Sequence, residues 1–95
     1  MTYWSLGAGT MPTGFGINFA RLDATATGFT FTLPDATAMS GGAIGVIKID
    51  SSANVVTIGR TSSQTINGAA SNDTLSTQWA CHLYVSDGTN WLRFV

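Results

Sequence analysis

The sequence predicts an all-β domain, a small antiparallel β-sandwich or barrel of about seven to eight short strands with an N-terminal arm. Three observations carry this reading. Apolar and polar residues alternate with period two over several short runs, turn residues recur between those runs, and strong helix formers are scarce while Gly and Thr are frequent.

Residues 1–28 are set apart as an arm and edge strand, and residues 29–95 as a β module. In the first segment Gly7, Gly9, Gly14, Gly16, Gly28 and Pro12 break any long element, although residues 17–22 (INFARL) alternate enough for one strand. Tyr3, Trp4 and Phe15 are large apolar side chains in that glycine-rich context, which suits a segment ordered by a partner. Residues 29–33 (FTFTL) alternate aromatic or aliphatic with Thr and stop at Pro34, a half-buried strand with a marked end. Residues 35–42 (DATAMSGG) allow one helical turn, with Asp35 as N-cap and Gly41 or Gly42 as C-cap.

Residues 43–50 (AIGVIKID) place Ile47 and Ile49 on one face and Val46 and Lys48 on the other. After the polar turn 51–54, residues 55–58 (VVTI) resume a β-branched run, so the two segments are expected to form a hairpin. A further short strand is expected at residues 65–67, closed by Gly68. Residues 79–85 (WACHLYV) put Trp79, Cys81, Leu83 and Val85 on one face and Ala80, His82 and Tyr84 on the other. Residues 86–90 supply a turn in which Asp87-Gly88 suits positive φ, and residues 91–95 return as the last strand.

Composition narrows the function classes. The chain has 95 residues, four Lys or Arg, five Asp and no Glu, and only 9% of it is charged, against roughly a quarter in an ordinary domain. Arg21, Lys48, Arg60 and Arg93 stand apart from one another, so there is no basic cluster to neutralise phosphates and no nucleic-acid partner is expected. A disordered tail is excluded as well, because that needs low hydrophobicity and high net charge. A chain of this size buries only about 60–65% of its unfolded surface. With Cys81 as the single cysteine, no disulfide or structural zinc can compensate, and oligomerisation is the remaining route to stability. No signal peptide and no apolar run of about 18 residues is present, so folding in a cytosol and no membrane partner are expected.

No catalytic constellation is legible. Cys81 and His82 are neighbours on a strand and point to opposite faces, so they cannot form a thiolate–imidazolium pair. Cys81, in register with Trp79 and Leu83, is expected in the core, and His82 at a surface or subunit interface. Asp23, Asp35, Asp50, Asp73 and Asp87 all fall beside turn residues, where caps and Asx-turns account for them. The glycine pairs lack the rest of a dinucleotide or phosphate-loop motif. The reading is a non-enzyme with no catalytic residue, no metal and no cofactor. As a binding module it would use Trp79, Tyr84 and Trp91 to stack on sugar rings beside Asp87 and Asn90, but Trp79 and Trp91 sit at alternating positions that favour the core.

From Phe31 onward the order of features resembles a small β module of tailed-bacteriophage structural proteins. The matching features are Leu33-Pro34, the strand from Ile44 to Asp50, the turn and strand from Ser51 to Ile58, Gln64-Thr65-Ile66-Asn67-Gly68, Leu75-Ser76-Thr77 and Ser86-Asp87-Gly88-Thr89-Asn90-Trp91. The closing hexapeptide is the most specific of these. The resemblance implies a virion structural protein, usually a homotrimer. With 28 residues before the module and no coiled coil, collagen-like repeat or β-helix shaft, it implies a capsid decoration (cement) protein. Such a protein is made in the host cytoplasm and sits on the capsid exterior, and here Tyr3, Trp4 and Phe15 would contact the major capsid protein. The alternative is a tail- or head-fibre tip holding a host receptor or glycan through Tyr84, Asn90 and Trp91.

Overall fold

Among the described residues, period-two alternation and β-branching are converted into nine strands and one helical turn. The computed structural model describes residues 2–6 and 9–10 as strand backbone and residues 17–95 in full. The strands are β1 (Thr2–Leu6), β2 (Gly9–Thr10), β3 (Ile17–Leu22), β4 (Phe29–Thr32) and β5 (Ala43–Lys48), followed by β6 (Val56–Gly59), β7 (Asp73–Leu75), β8 (Cys81–Ser86) and β9 (Trp91–Arg93). Between β4 and β5 a single 3-10 turn, Ala36–Ala38, starts where expected: the Asp35 carboxylate accepts from the Thr37 amide at 2.9 Å.

The chain is all-β, but its sheets are mixed rather than antiparallel. One sheet has the order β1-β3-β5-β8-β9 and the other β2-β4-β6-β7. From β1 to β6 the chain changes sheet at every step, so β1, β3 and β5 pair in parallel and so do β2, β4 and β6. These six strands form three stacked coils of a short solenoid, each resting on the one before. Strands β7, β8 and β9 then close the stack with antiparallel pairs.

The expected hairpin between residues 43–50 and 55–58 does not form. Strand β5 lies between β3 and β8, and β6 lies between β4 and β7, in different sheets. The cause is the turn joining them, whose polar groups bond to the corner of the preceding coil. Asp50 Oδ1 accepts from the Ala24 amide at 2.8 Å, Asn54 Nδ2 donates to the Ala24 carbonyl at 2.8 Å, and the Ile49 amide donates to the Leu22 carbonyl at 3.0 Å. The strand expected at residues 65–67 reduces to Ile66, which bridges Ala69 and Trp91.

The core lies between the sheets. Leu22, Phe31, Leu33, Met39, Ile44, Ile58, Tyr84 and Trp91 have no exposed surface, each large apolar side chain contributing about 1.5–3 kcal/mol relative to exposure. Lys48 shares this interior with no exposure at all. Its ammonium is satisfied three times, donating to Asp50 Oδ2 at 2.8 Å and to the carbonyls of Ser52 at 2.9 Å and Asp50 at 3.1 Å. Lys48 and the Ser52 hydroxyl hold the Asp50 carboxyl far below the usual carboxylate range, against the opposing effect of burial. The 50–54 turn is thus built around an internal cation supplied by the chain itself.

Candidate functional site

Strand β5 reads AIGVIK with scarcely a polar position, and its two faces explain why. Ile44, Val46 and Lys48 point into the sandwich, while Ala43, Gly45 and Ile47 belong to the outer face of the five-stranded sheet. Register aligns that outer face into three rows. Ile17, Ala43, Val85 and Leu92 form the first, Phe19, Gly45 and Leu83 the second, and Arg21, Ile47 and Cys81 the third. Gly45 is required in the middle row, because a Cβ there would lie 2.6 Å from the Phe19 ring. Glycine lets that ring lie against the strand backbone.

The result is a shallow apolar concavity of about 700 Å³, with Trp79 and Val95 also lining it. Arg21 is the only formally charged side chain among its described lining residues. Ile17 is 49% exposed and Trp79 61%. Trp79 has φ +69°, an uncommon conformation for a bulky residue, and its amide donates to the Lys48 carbonyl at 2.7 Å.

Several expectations about this region are corrected. Trp79 and Cys81, read as core residues, are both exposed. Tyr84, read as lying on the opposite face from the core positions, is itself the core residue of β8. Residues 79–85 are apolar on both faces, so alternation shows two sets of positions without showing which is inside. The separation of Cys81 from His82 follows the strand geometry: Cys81 pairs with Ile47 in the outer row and His82 with Val46 in the other. His82 Nδ1 lies 2.7 Å from the Val95 carbonyl oxygen.

Of the glycan-contact candidates Tyr84, Asn90 and Trp91, two are wholly buried. Trp91 Nε1 donates to the Pro34 carbonyl at 3.1 Å, and the Tyr84 hydroxyl donates to Asp73 Oδ2 at 2.7 Å. Neither ring is available to stack on a sugar. Burial first, and then the bond to Asp73, raises the Tyr84 hydroxyl far above its ordinary range. Asn90 Oδ1 accepts from the Thr65 amide at 3.0 Å, so it too is engaged within the fold. Of the capsid-contact candidates, the side chains of Tyr3 and Trp4 and all of Phe15 lie outside the described residues.

The hexapeptide from Ser86 to Trp91 has a structural task at nearly every position. The Ser86 hydroxyl donates to the Ala36 carbonyl at 2.6 Å and accepts from the Gly88 amide at 3.1 Å. Asp87 Oδ1 accepts from the amides of Asn90 at 2.8 Å and Thr89 at 2.9 Å, which lower its pKa, and Gly88 takes φ +95°. With Trp91 on Pro34 and Asn90 on Thr65, the motif staples the closing turn to the Leu33-Pro34 corner. The hexapeptide and the Leu33-Pro34 corner are therefore two halves of one contact.

The aspartates divide similarly. Asp23, Asp35 and Asp87 make the expected caps and Asx-turns, with pKa values lowered by the bonds they accept. Asp50 makes its turn bond too, accepting from the Ser52 amide at 3.1 Å, and also binds Lys48, while Asp73 accepts from the Tyr84 hydroxyl and pairs with Arg93 at 3.0 Å. Among the described residues no group of three or more His, Cys, Asp or Glu side chains could hold a metal ion, and no helix is long and apolar enough to cross a membrane.

The outer-face residues Phe19, Ile47 and Leu83 are the ones that sequence reasoning missed as a site. Their signal is the near-continuous apolar run in β5 and β8, which marks strands covered on both faces. No protein-family model matches the chain, and no curated protein matches it by sequence.

Proposed function

We propose that the protein is a structural component of a tailed-phage virion, a homotrimeric decoration protein that reinforces the capsid from outside. The observation that carries this reading is the apolar outer face of the five-stranded sheet, on a chain with too little charge to keep such a face wet. A surface of that kind is built to be covered. The resemblance from Phe31 to Trp91 supplies the setting, and the stapled closing turn gives its residues a reason to recur together.

In this reading the N-terminal segment, with Tyr3, Trp4 and Phe15, grips the major capsid protein. Each aromatic buried at that contact contributes about 1.5–3 kcal/mol before ordering costs, and three copies act together. The scarcity of charge makes attachment comparatively insensitive to salt. The test combines light scattering of the purified protein with its addition to expanded capsids that lack it. A trimer and saturable binding that persists at high salt are expected, and a stable monomer that ignores capsids would sink the proposal.

A second reading, a fibre module, is favoured by the three parallel coils, which suit a unit stacked along an axis. It no longer draws on Tyr84 or Trp91 as receptor contacts. Antibody labelling of intact particles separates the two, since heads are decorated in the first case and fibres in the second.

A further inference from the structure

We infer that the outer face of the five-stranded sheet is the surface through which the chain binds further copies of itself, with Phe19, Ile47 and Leu83 at the centre of the contact. This rests on the homotrimer of the proposed function and names the face that makes it.

Area is the first argument. The four strands of this face whose side chains are described, with six residues each in β3, β5 and β8 and three in β9, span roughly 330 Å² at about 4.8 Å between strands and about 3.3 Å per residue, the size at which an apolar patch is often an interaction site. Leu92, Phe94 and Val95, at 38%, 64% and 66% exposure, add apolar surface at the end of the chain. Charge is the second. Among the described lining residues Arg21 is the one formally charged side chain, so the groove's best complement is a surface equally poor in charge, and the same face on another copy meets that requirement. Strand composition is the third. The four-stranded sheet is also built on parallel pairs and turns threonines to water, whereas the near-continuous apolar runs of β5 and β8 are the pattern of strands covered on both faces; the inner side is covered by the four-stranded sheet while the outer side is open among the described residues. An enclosed ligand pocket would bring a few convergent polar groups into its apolar walls. This is instead an open sheet face, with the Phe19 ring laid over Gly45, and it fits a partner that is itself a flat apolar surface.

Cys81 provides an internal reporter, because its exposed thiol lies in the outer row beside Ile47. The experiment uses the full chain in three forms: wild type, Ile47→Asp and Leu83→Asp, with Thr57→Asp on the other sheet as control. Mass is read by sedimentation, folding by circular dichroism, and Cys81 accessibility by reaction with Ellman's reagent. A wild-type trimer whose thiol reacts about tenfold more slowly than in the folded Asp variants, with those variants monomeric and Thr57→Asp still trimeric, supports the inference. Should the Asp variants fail to fold, the wild type decides alone: a thiol slow in the concentrated trimer and fast on dilution to monomer supports it. A trimer in which Cys81 reacts freely and which survives both Asp variants overturns the inference while leaving the proposed trimer intact. A wild-type monomer overturns both, whether its thiol is open or is covered by its own chain. A dimer dissolved by Ile47→Asp supports the face and overturns the threefold assembly.

Discussion

The two sheets bury their inner faces in one core and differ on their outer ones. In the four-stranded sheet, β4 reads FTFT and β6 reads VTIG, and Thr30, Thr57 and Thr74 stand side by side across β4, β6 and β7, with Thr32 beside them. In the five-stranded sheet the corresponding outer positions are Ile17, Phe19, Ile47 and Leu83. Threonine keeps β-propensity while offering water a hydroxyl, so the smaller sheet is finished on its outside. The larger sheet keeps its β-propensity with side chains that gain from being covered. One fold therefore carries a threonine face and an apolar face, with Arg21 the one formally charged side chain among the described lining of the latter.

The sharpest way to break this comparison is to attack what the sheets share. Trp91→Ala on the larger sheet and Phe31→Ala on the smaller should each cost about 3–5 kcal/mol in denaturant unfolding. A loss of under about 1 kcal/mol from either would mean that the two inner faces do not form a common core. Next in size is the bolt between the sheets. Tyr84→Phe should cost about 1.5–3 kcal/mol, the worth of a hydrogen bond to a charged group. In the wild type one tyrosine should resist ionisation, followed by absorbance near alkaline pH, until the fold itself gives way. The sign follows from the raised pKa: the neutral hydroxyl stabilises the fold fully below the ordinary tyrosine range, and that stability drains as pH rises above it.

A smaller effect appears in acid. The Asp50 pKa is depressed in the folded chain, so its contribution is present above the unfolded value of about 3.9 and is lost as pH falls below it toward the folded value. Thermal melts of the wild type should therefore fall away below about pH 4. Asp50→Asn should melt lower at neutral pH, because the Lys48 ammonium loses its counter-charge, and its melts should change less with acid. A variant with the wild-type acid slope would place the sensitivity elsewhere. The smallest expected effect is on the finished face: Thr57→Val should change stability by no more than about 0.5 kcal/mol and leave sedimentation unchanged. Aggregation of that variant would show that the threonine row is needed to keep the second face open.

How far the sequence could be read depends on how each segment is solvated. FTFTL was legible to within one residue, β4 ending at Thr32, because one side of β4 is wet, so Phe31 and the threonines sort themselves by polarity. WACHLYV was legible as a strand, but its faces were not. With both sides apolar, alternation leaves the sign undecided, and Trp79 turns out of the strand altogether at φ +69°. Lys48 was hidden for a related reason. A lysine reads as a surface residue until the turn at 50–54 folds back and supplies three acceptors for it.

By itself the sequence determined the class of structure and the positions of its breaks. Thr, Val, Ile and aromatic residues in period two can only make strands, and Pro34, the Asp35 cap, Gly88 and the Asp87 turn act through local backbone preference. Only the tertiary structure decided which strands pair and which face is inside. Strand β3 meets β5 across a separation of 26 residues, and no local preference encodes a partner that far away. The burial of Tyr84 and the outward placement of half-buried Phe19, Ile47 and Leu83 follow from that pairing, because a face becomes a core only when something is laid against it.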